Sequence, residues 1–155
     1  MTKQPKIKDV DRGYRELMRR MDRIAKVKPE VVVGIMGQSA YEQAGDDATV
    51  LDIALFHELG MGVPRRSWLR DWYDERLPAN RKRIKKLARM VLKGELDERR
   101  ALELFGVRAV ASIRRRIRKG IPPALSEVTI ERKGSATPLI DTGQLIRSIT
   151  HEVRP

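Results

Sequence analysis

The sequence predicts an α+β fold: a helix-rich single domain over residues 1–155, with long amphipathic helices and a small, mainly antiparallel sheet. Three observations carry this prediction. Apolar residues recur at helical spacing along most of the chain, as at Leu102, Phe105, Ala109, Ile113 and Ile117. Only two stretches have strand character: residues 31–36, a β-branched run between Pro29 and Gly37, and residues 148–153, where Ile149, His151 and Val153 alternate. Glycine or proline punctuates the helical stretches.

The elements follow in order. From Asp9 to Lys28 a single apolar stripe includes Tyr14, Leu17, Met21 and Ile24, and Pro29 ends that helix. Glu30 to Gly37 is the first strand, and the polar stretch 38–47 is a loop. Asp46 or Asp47 caps a helix from Ala48 to Leu59. That helix is apolar on most of its sides, which predicts deep burial. Gly60 and Gly62 break it, and Val63-Pro64 leads into an extended turn.

Ser67 caps a short helix carrying Trp68, Leu69 and Trp72, which Pro78 interrupts. A basic helix follows to Lys93, with Ile84, Leu87, Ala88, Val91 and Leu92 on one face and Gly94 as its C-terminal cap. Asp97 starts a long helix that runs to Lys119 and closes at Gly120. Ile121-Pro122-Pro123 is a rigid bend, and Ser126 caps a further short turn of helix. Asp141 or Thr142 caps a last short helix over Gly143 to Arg147, and the closing strand pairs with the first. Residues 1–8 are expected to be flexible. Loops 38–47 and 133–137 are expected to order on assembly.

Composition narrows the function. Charged residues make up 35% and hydrophobic residues 41%, which predicts a small core under heavily charged helices. Without cysteine there is neither a disulfide nor a thiolate metal site. No apolar run approaches the roughly 20 residues of a membrane span, and the N-terminus lacks the apolar core of a signal peptide. The expectation is a soluble protein made in a bacterial cytoplasm, with no membrane partner.

The net charge of +12 is unevenly spread. Between Glu30 and Pro64 there is no Lys or Arg, against Glu30, Glu42, Asp46, Asp47, Asp52 and Glu58. Ala79 to Lys93 and Val107 to Gly120 are purely basic in their charged residues, the second block including Arg114, Arg115 and Arg116. Separated blocks of opposite sign suit a head-to-tail contact between copies, which closes into a ring when the rotation permits. Asp46, Asp47 and Arg114 to Arg116 are therefore candidate interface residues, as are Trp68 and Trp72, one helical turn apart. Contact with DNA is the competing explanation of the charge. Aromatic residues are only 5% and do not interleave with the basic runs, as a stacking platform for single strands would require.

Catalytic patterns have simpler explanations. His57-Glu58 resembles the start of a His-Glu-x-x-His zinc motif, but position 61 is Met61. His57 is expected to be structural. Gly34-Ile35-Met36-Gly37 lacks the lysine and third glycine of a phosphate loop. Asp46-Asp47 stands where a helix start favours negative charge. No enzyme activity and no cofactor are expected.

Three short stretches remain. Phe56-His57-Glu58-Leu59-Gly60 closes the apolar helix, and Val63-Pro64-Arg65-Arg66-Ser67-Trp68-Leu69-Arg70 follows at once. The third runs from Pro138 through Asp141-Thr142-Gly143 to Ile149. In this order they resemble the tail-completion and head–tail joining (neck) proteins of long-tailed double-stranded DNA bacteriophages. Those carry a His-Glu-Phe-Gly-like step, a Pro-Ala-Arg-Pro-Phe-Leu-like step and an Asp-Thr-Gly-x-Leu-x-x-Ser-Ile-like step. Leu59, Ser67 and Trp68 depart from that pattern while keeping its local character. The resemblance implies a structural virion protein, a ring and by expectation a hexamer, that completes the tail and engages neck and tail proteins around the DNA channel. It makes His57, Glu58, Gly60, Pro64, Asp141, Thr142 and Gly143 structural motif residues. A tail-terminator ring and a basic DNA-binding module are the alternatives.

Overall fold

A computed structural model describes residues 11–44, 47–133, 138–139 and 142–155. It is helix-rich with a two-stranded antiparallel sheet, the predicted α+β class. In chain order the elements are α1 (Tyr14–Val27), β1 (Glu30–Ile35), a 3-10 turn (Gly37–Ala40), α2 (Val50–Leu59), α3 (Arg70–Lys93), α4 (Glu98–Arg118), α5 (Glu127–Lys133), α6 (Gln144–Ser148) and β2 (Ile149–Arg154). β1 and β2 pair antiparallel, with Val33 opposite His151 and Ile35 opposite Ile149. The pairing joins the two segments that have strand character in the sequence.

The sheet packs on α4. Ile113 and Ile117 of α4 and Ile149 of β2 are fully buried at 0% exposure and form the centre of the core. Val50 and Ala54 of α2, Trp72 of α3 and Leu145 and Ile146 of α6 close around them. The stripe predicted from Ala109 to Ile117 is therefore the inward face of α4. Burial falls away toward α1, which contributes no buried residue. Residues 1–8, and all of loop 133–137 after Lys133, lie outside the described residues.

Four local expectations are corrected. Pro78 does not end a helix: α3 runs continuously for 24 residues through it. Pro78 is exposed, so the carbonyl its ring leaves without an N–H partner can turn to water, and packing on either side holds the helix together. The cap of α2 is Thr49 and not Asp47, while Asp46 lies outside the described residues. Thr49 Oγ1 accepts from Asp52 N (3.2 Å), and the Asp52 carboxylate accepts from Thr49 N (2.9 Å), a reciprocal capping box. Nor is α2 deeply buried. Only Val50 and Ala54 are, while Leu55, Phe56 and Leu59 are 43%, 37% and 55% exposed. Finally, stretch 38–47 is not wholly irregular. It holds the 3-10 turn, and Gln43 bridges to Thr49.

The capping box sets a pH dependence. Hydrogen bonds from the Thr49 side chain and backbone hold the Asp52 carboxyl below its usual value of 3.8. A depressed folded value means stability that is complete above 3.8 and is lost as pH falls from there through the folded value. Asp52→Asn is expected to flatten the acid limb of the stability curve in that window. Urea midpoints across the acid range measure this; an unchanged limb would assign the acid sensitivity to other groups.

Candidate functional site

The first two motif stretches meet at the C-terminal end of α2, and the third lines the same cleft. Gly60 takes the left-handed conformation (φ 77°), and its N–H caps α2 on Phe56 O. A Cβ there would stand 3.0 Å from Arg65 Cβ. Glycine is thus required both by the turn and by the close return of the chain. The returning strand is anchored at once, since Arg66 N donates to His57 O at 2.7 Å.

Glu58 is the centre of this joint. Its carboxylate accepts four hydrogen bonds: from Ser67 Oγ (2.7 Å), Trp68 N (2.9 Å), Leu69 N (3.0 Å) and Arg70 N (3.0 Å). Ser67 Oγ in turn accepts from Asp71 N at 3.1 Å. A helix start leaves its first N–H groups unpaired and partially positive. Here the carboxylate of one helix, with one serine, caps the start of the next. Ser67 contributes to the cap, but α3 begins at Arg70 with Leu69 in the N-cap position, so Trp68 and Leu69 precede the helix they were expected to lie on, and most of the capping comes from Glu58, whose distance along the chain hides the pairing. The negative charge in His57-Glu58 therefore has a structural partner.

Arg66 is the second anchor, at 4% exposure. Its Nε donates to Pro123 O (2.8 Å) and its Nη2 to Ala124 O (3.3 Å), which ties the Val63–Arg70 stretch to the Ile121–Pro123 bend. Burial pulls its guanidinium below the ordinary arginine value. Arg66 was not among the residues singled out in the sequence, since an arginine in a basic chain carries no mark of its burial.

The third stretch completes the joint. Thr142 Oγ1 accepts from Gln144 N at 3.3 Å, and Gly143 is left-handed at φ 77°. Gln144 Nε2 donates to Glu42 Oε2 (3.2 Å) and Gln43 O (3.1 Å), fastening α6 to the segment before α2. Asp141 lies outside the described residues. Phe56, His57, Pro64, Arg66, Thr142 and Gly143 all line one cleft of about 690 Å³. So residues of all three stretches line the same cleft. No family model, curated protein or solved structure matches the chain.

The remaining candidate residues separate into two groups. Trp68 and Trp72, candidates for an interface, are core residues instead, at 4% and 5% exposure. Trp68 Nε1 donates to Ala54 O (3.1 Å) and Trp72 Nε1 to Ser112 Oγ (2.9 Å), so their polar edges are paired inside the protein. Arg114 and Arg116 are also committed within the chain. Arg114 Nη2 donates to Arg147 O (2.9 Å) and Ile149 O (2.8 Å), bracing α6 and β2, and Arg116 pairs with Glu75. Arg115 and Asp47 are exposed and stay available to a partner. Among the described residues, no three His, Cys, Asp or Glu side chains converge on a metal position, and no helix is long and apolar enough to cross a membrane.

Proposed function

We propose that this chain is a structural protein of a tailed bacteriophage that completes the tail and joins it to the head or neck as a ring. One observation supports the reading above others. Of the three stretches that resemble neck proteins, the first two are locked together by Glu58, and the third, more than sixty residues further on, lines the same cleft. Motifs that serve chemistry would converge on reactive groups. Here Glu58, Arg66 and Arg147 hold backbone, as a load-transmitting part requires. In a phage genome lacking this gene, full-length tails that fail to join heads are the expected particles under electron microscopy. Normal infectious particles would overturn the proposal.

A second reading has one observation in its favour. Arg81, Lys82, Lys85, Lys86 and Arg89 of α3 are exposed, whereas Arg114 and Arg116 are occupied within the chain. If the protein touches DNA in the channel, these five cations of α3 are the main candidate surface, beside the exposed Arg115, Arg118 and Lys119 at the end of the second basic block. Duplex binding by isolated protein that weakens steeply with salt, and is lost when these α3 residues are made neutral, is the expected signature.

A further inference from the structure

We infer that copies of this chain join head to tail by inserting the exposed apolar ridge of α2 into the apolar groove between α1, α3 and α4 of the next copy. The inference rests on the ring reading above and names its contact. The ridge consists of Leu55, Phe56 and Leu59, neighbours at three- and four-residue spacing, at 43%, 37% and 55% exposure. Met61 extends it at 54%. α2 is apolar on most of its sides and buries only Val50 and Ala54, so these apolar residues are left on its outward side. Apolar surface of this kind in a contiguous patch marks an interaction site.

The groove is its counterpart in shape and polarity. Met21 and Ile24 of α1, Ile84, Leu87 and Leu92 of α3, and Phe105 of α4 line a trough of about 490 Å³. Ile84 at 51% and Leu92 at 37% stand open at its edge. Glu98 is the one ionisable group in its lining, and Arg23 neutralises it at 2.7 Å. An apolar helical ridge laid into an apolar groove is a recurrent mode of recognition.

Charge selects a second copy as the occupant. The ridge belongs to the segment from Glu30 to Pro64, which carries acidic residues and no Lys or Arg. Glu42 and Asp47 are exposed near the start of α2, and Asp52 lies one turn before Phe56. Arg81, Lys85 and Arg89 follow at four-residue spacing along α3 and are all exposed, and helical spacing puts Arg81 beside Ile84 and Arg89 beside Leu92, the two residues at the groove's edge. Apolar surface meets apolar surface while opposite charges face each other at the rim, which orients the encounter. Ridge and groove are different surfaces of one chain, so the contact is heterologous and propagates from copy to copy until a ring closes.

Two oppositely blocked variants test this by sedimentation velocity or mass photometry. Leu55→Glu with Leu59→Glu blocks the ridge. Ile84→Glu with Leu92→Glu blocks the groove. All four positions are exposed, and circular dichroism checks that each variant keeps its fold. Wild type is expected to form species larger than a dimer that dissociate as salt rises. Each variant alone is expected to be a monomer. Their equimolar mixture is expected to give a heterodimer and nothing larger, because one intact ridge and one intact groove remain. Large wild-type assemblies that survive either block, or a mixture that stays monomeric, would place the contact elsewhere. A wild type that is monomeric under every condition would overturn the self-contact. The role in joining tails is decided separately, by the particles of the gene deletion.

Discussion

Glu58→Ala is expected to destabilise the protein by about 3 kcal/mol, read as a lowered denaturant midpoint. The magnitude follows from what the carboxylate does. It accepts from Ser67 Oγ and from three successive backbone N–H groups at the start of α3. Loss of an ordinary cap residue costs typically about 1 kcal/mol, and a hydrogen bond to a charged group contributes a net of roughly 1.5–3 kcal/mol. Glu58 is only half-buried, so water recovers part of the loss, and a total near 3 kcal/mol is the reasonable middle. For a chain of this size that is roughly a 10 °C fall in Tm. Glu58→Gln keeps an acceptor oxygen but loses the charge that faces the helix start, so about half the effect is expected. A loss below 1 kcal/mol for alanine would show that Ser67 and water cap α3 without the carboxylate.

The second large effect is expected at Gly106, with a sign opposite to helix propensity. Glycine in a helix interior ordinarily costs roughly 1 kcal/mol relative to alanine, so Gly106→Ala on propensity alone would stabilise. Yet Gly106 is buried in α4, and a Cβ there would lie 2.3 Å from His151 Cδ2 and 2.6 Å from His151 Cγ. The imidazole cannot swing away freely, because its Nε2 is hydrogen-bonded to Glu103 Oε2 at 2.8 Å. Glu103 stands one turn before Gly106, so α4 offers β2 a carboxylate and a notch side by side. Overpacking of this kind costs typically 1–3 kcal/mol, and a net loss of about 2 kcal/mol is expected. In a His151→Ala background the same change should become neutral or stabilising, and a double-mutant cycle reads that coupling. A stabilising Gly106→Ala in the wild-type background would mean that sheet and helix can separate at no cost.

Much of the architecture was legible because it rests on short-range rules. Asp97 accepts from Arg100 N and caps α4 as its position before an apolar stripe implied, and Gly94 closes α3 in the left-handed conformation. The two strands pair as their β-branched and alternating character suggested. The cap of α2 was also within reach, since Thr49 and Asp52 stand at capping-box spacing. The adjacent Asp46-Asp47 pair offers a competing cap signal two residues earlier. Misreadings arose where one signal has two meanings. Two tryptophans a turn apart fit a buried face and an exposed one equally well, and Pro78 ends most helices but not one anchored on both sides of it.

The sequence alone determined the class of fold, most element boundaries, the strand pairing and the separation of acidic from basic segments. Each of these follows from neighbours a few residues apart or from a count along the chain. Tertiary structure decided which charges are free and which are spent. Glu58, Arg66, Arg114 and Arg116 look like surface charges in a chain of net charge +12, and all four are bound to partners within the same molecule. It also decided that α2, apolar on most of its sides, buries Val50 and Ala54 and leaves Leu55, Phe56 and Leu59 exposed. The physical reason is that apolar residues spread around most of a helix carry no instruction about which side faces inward; only the neighbours packed on it, Trp68 and α6 among them, settle that.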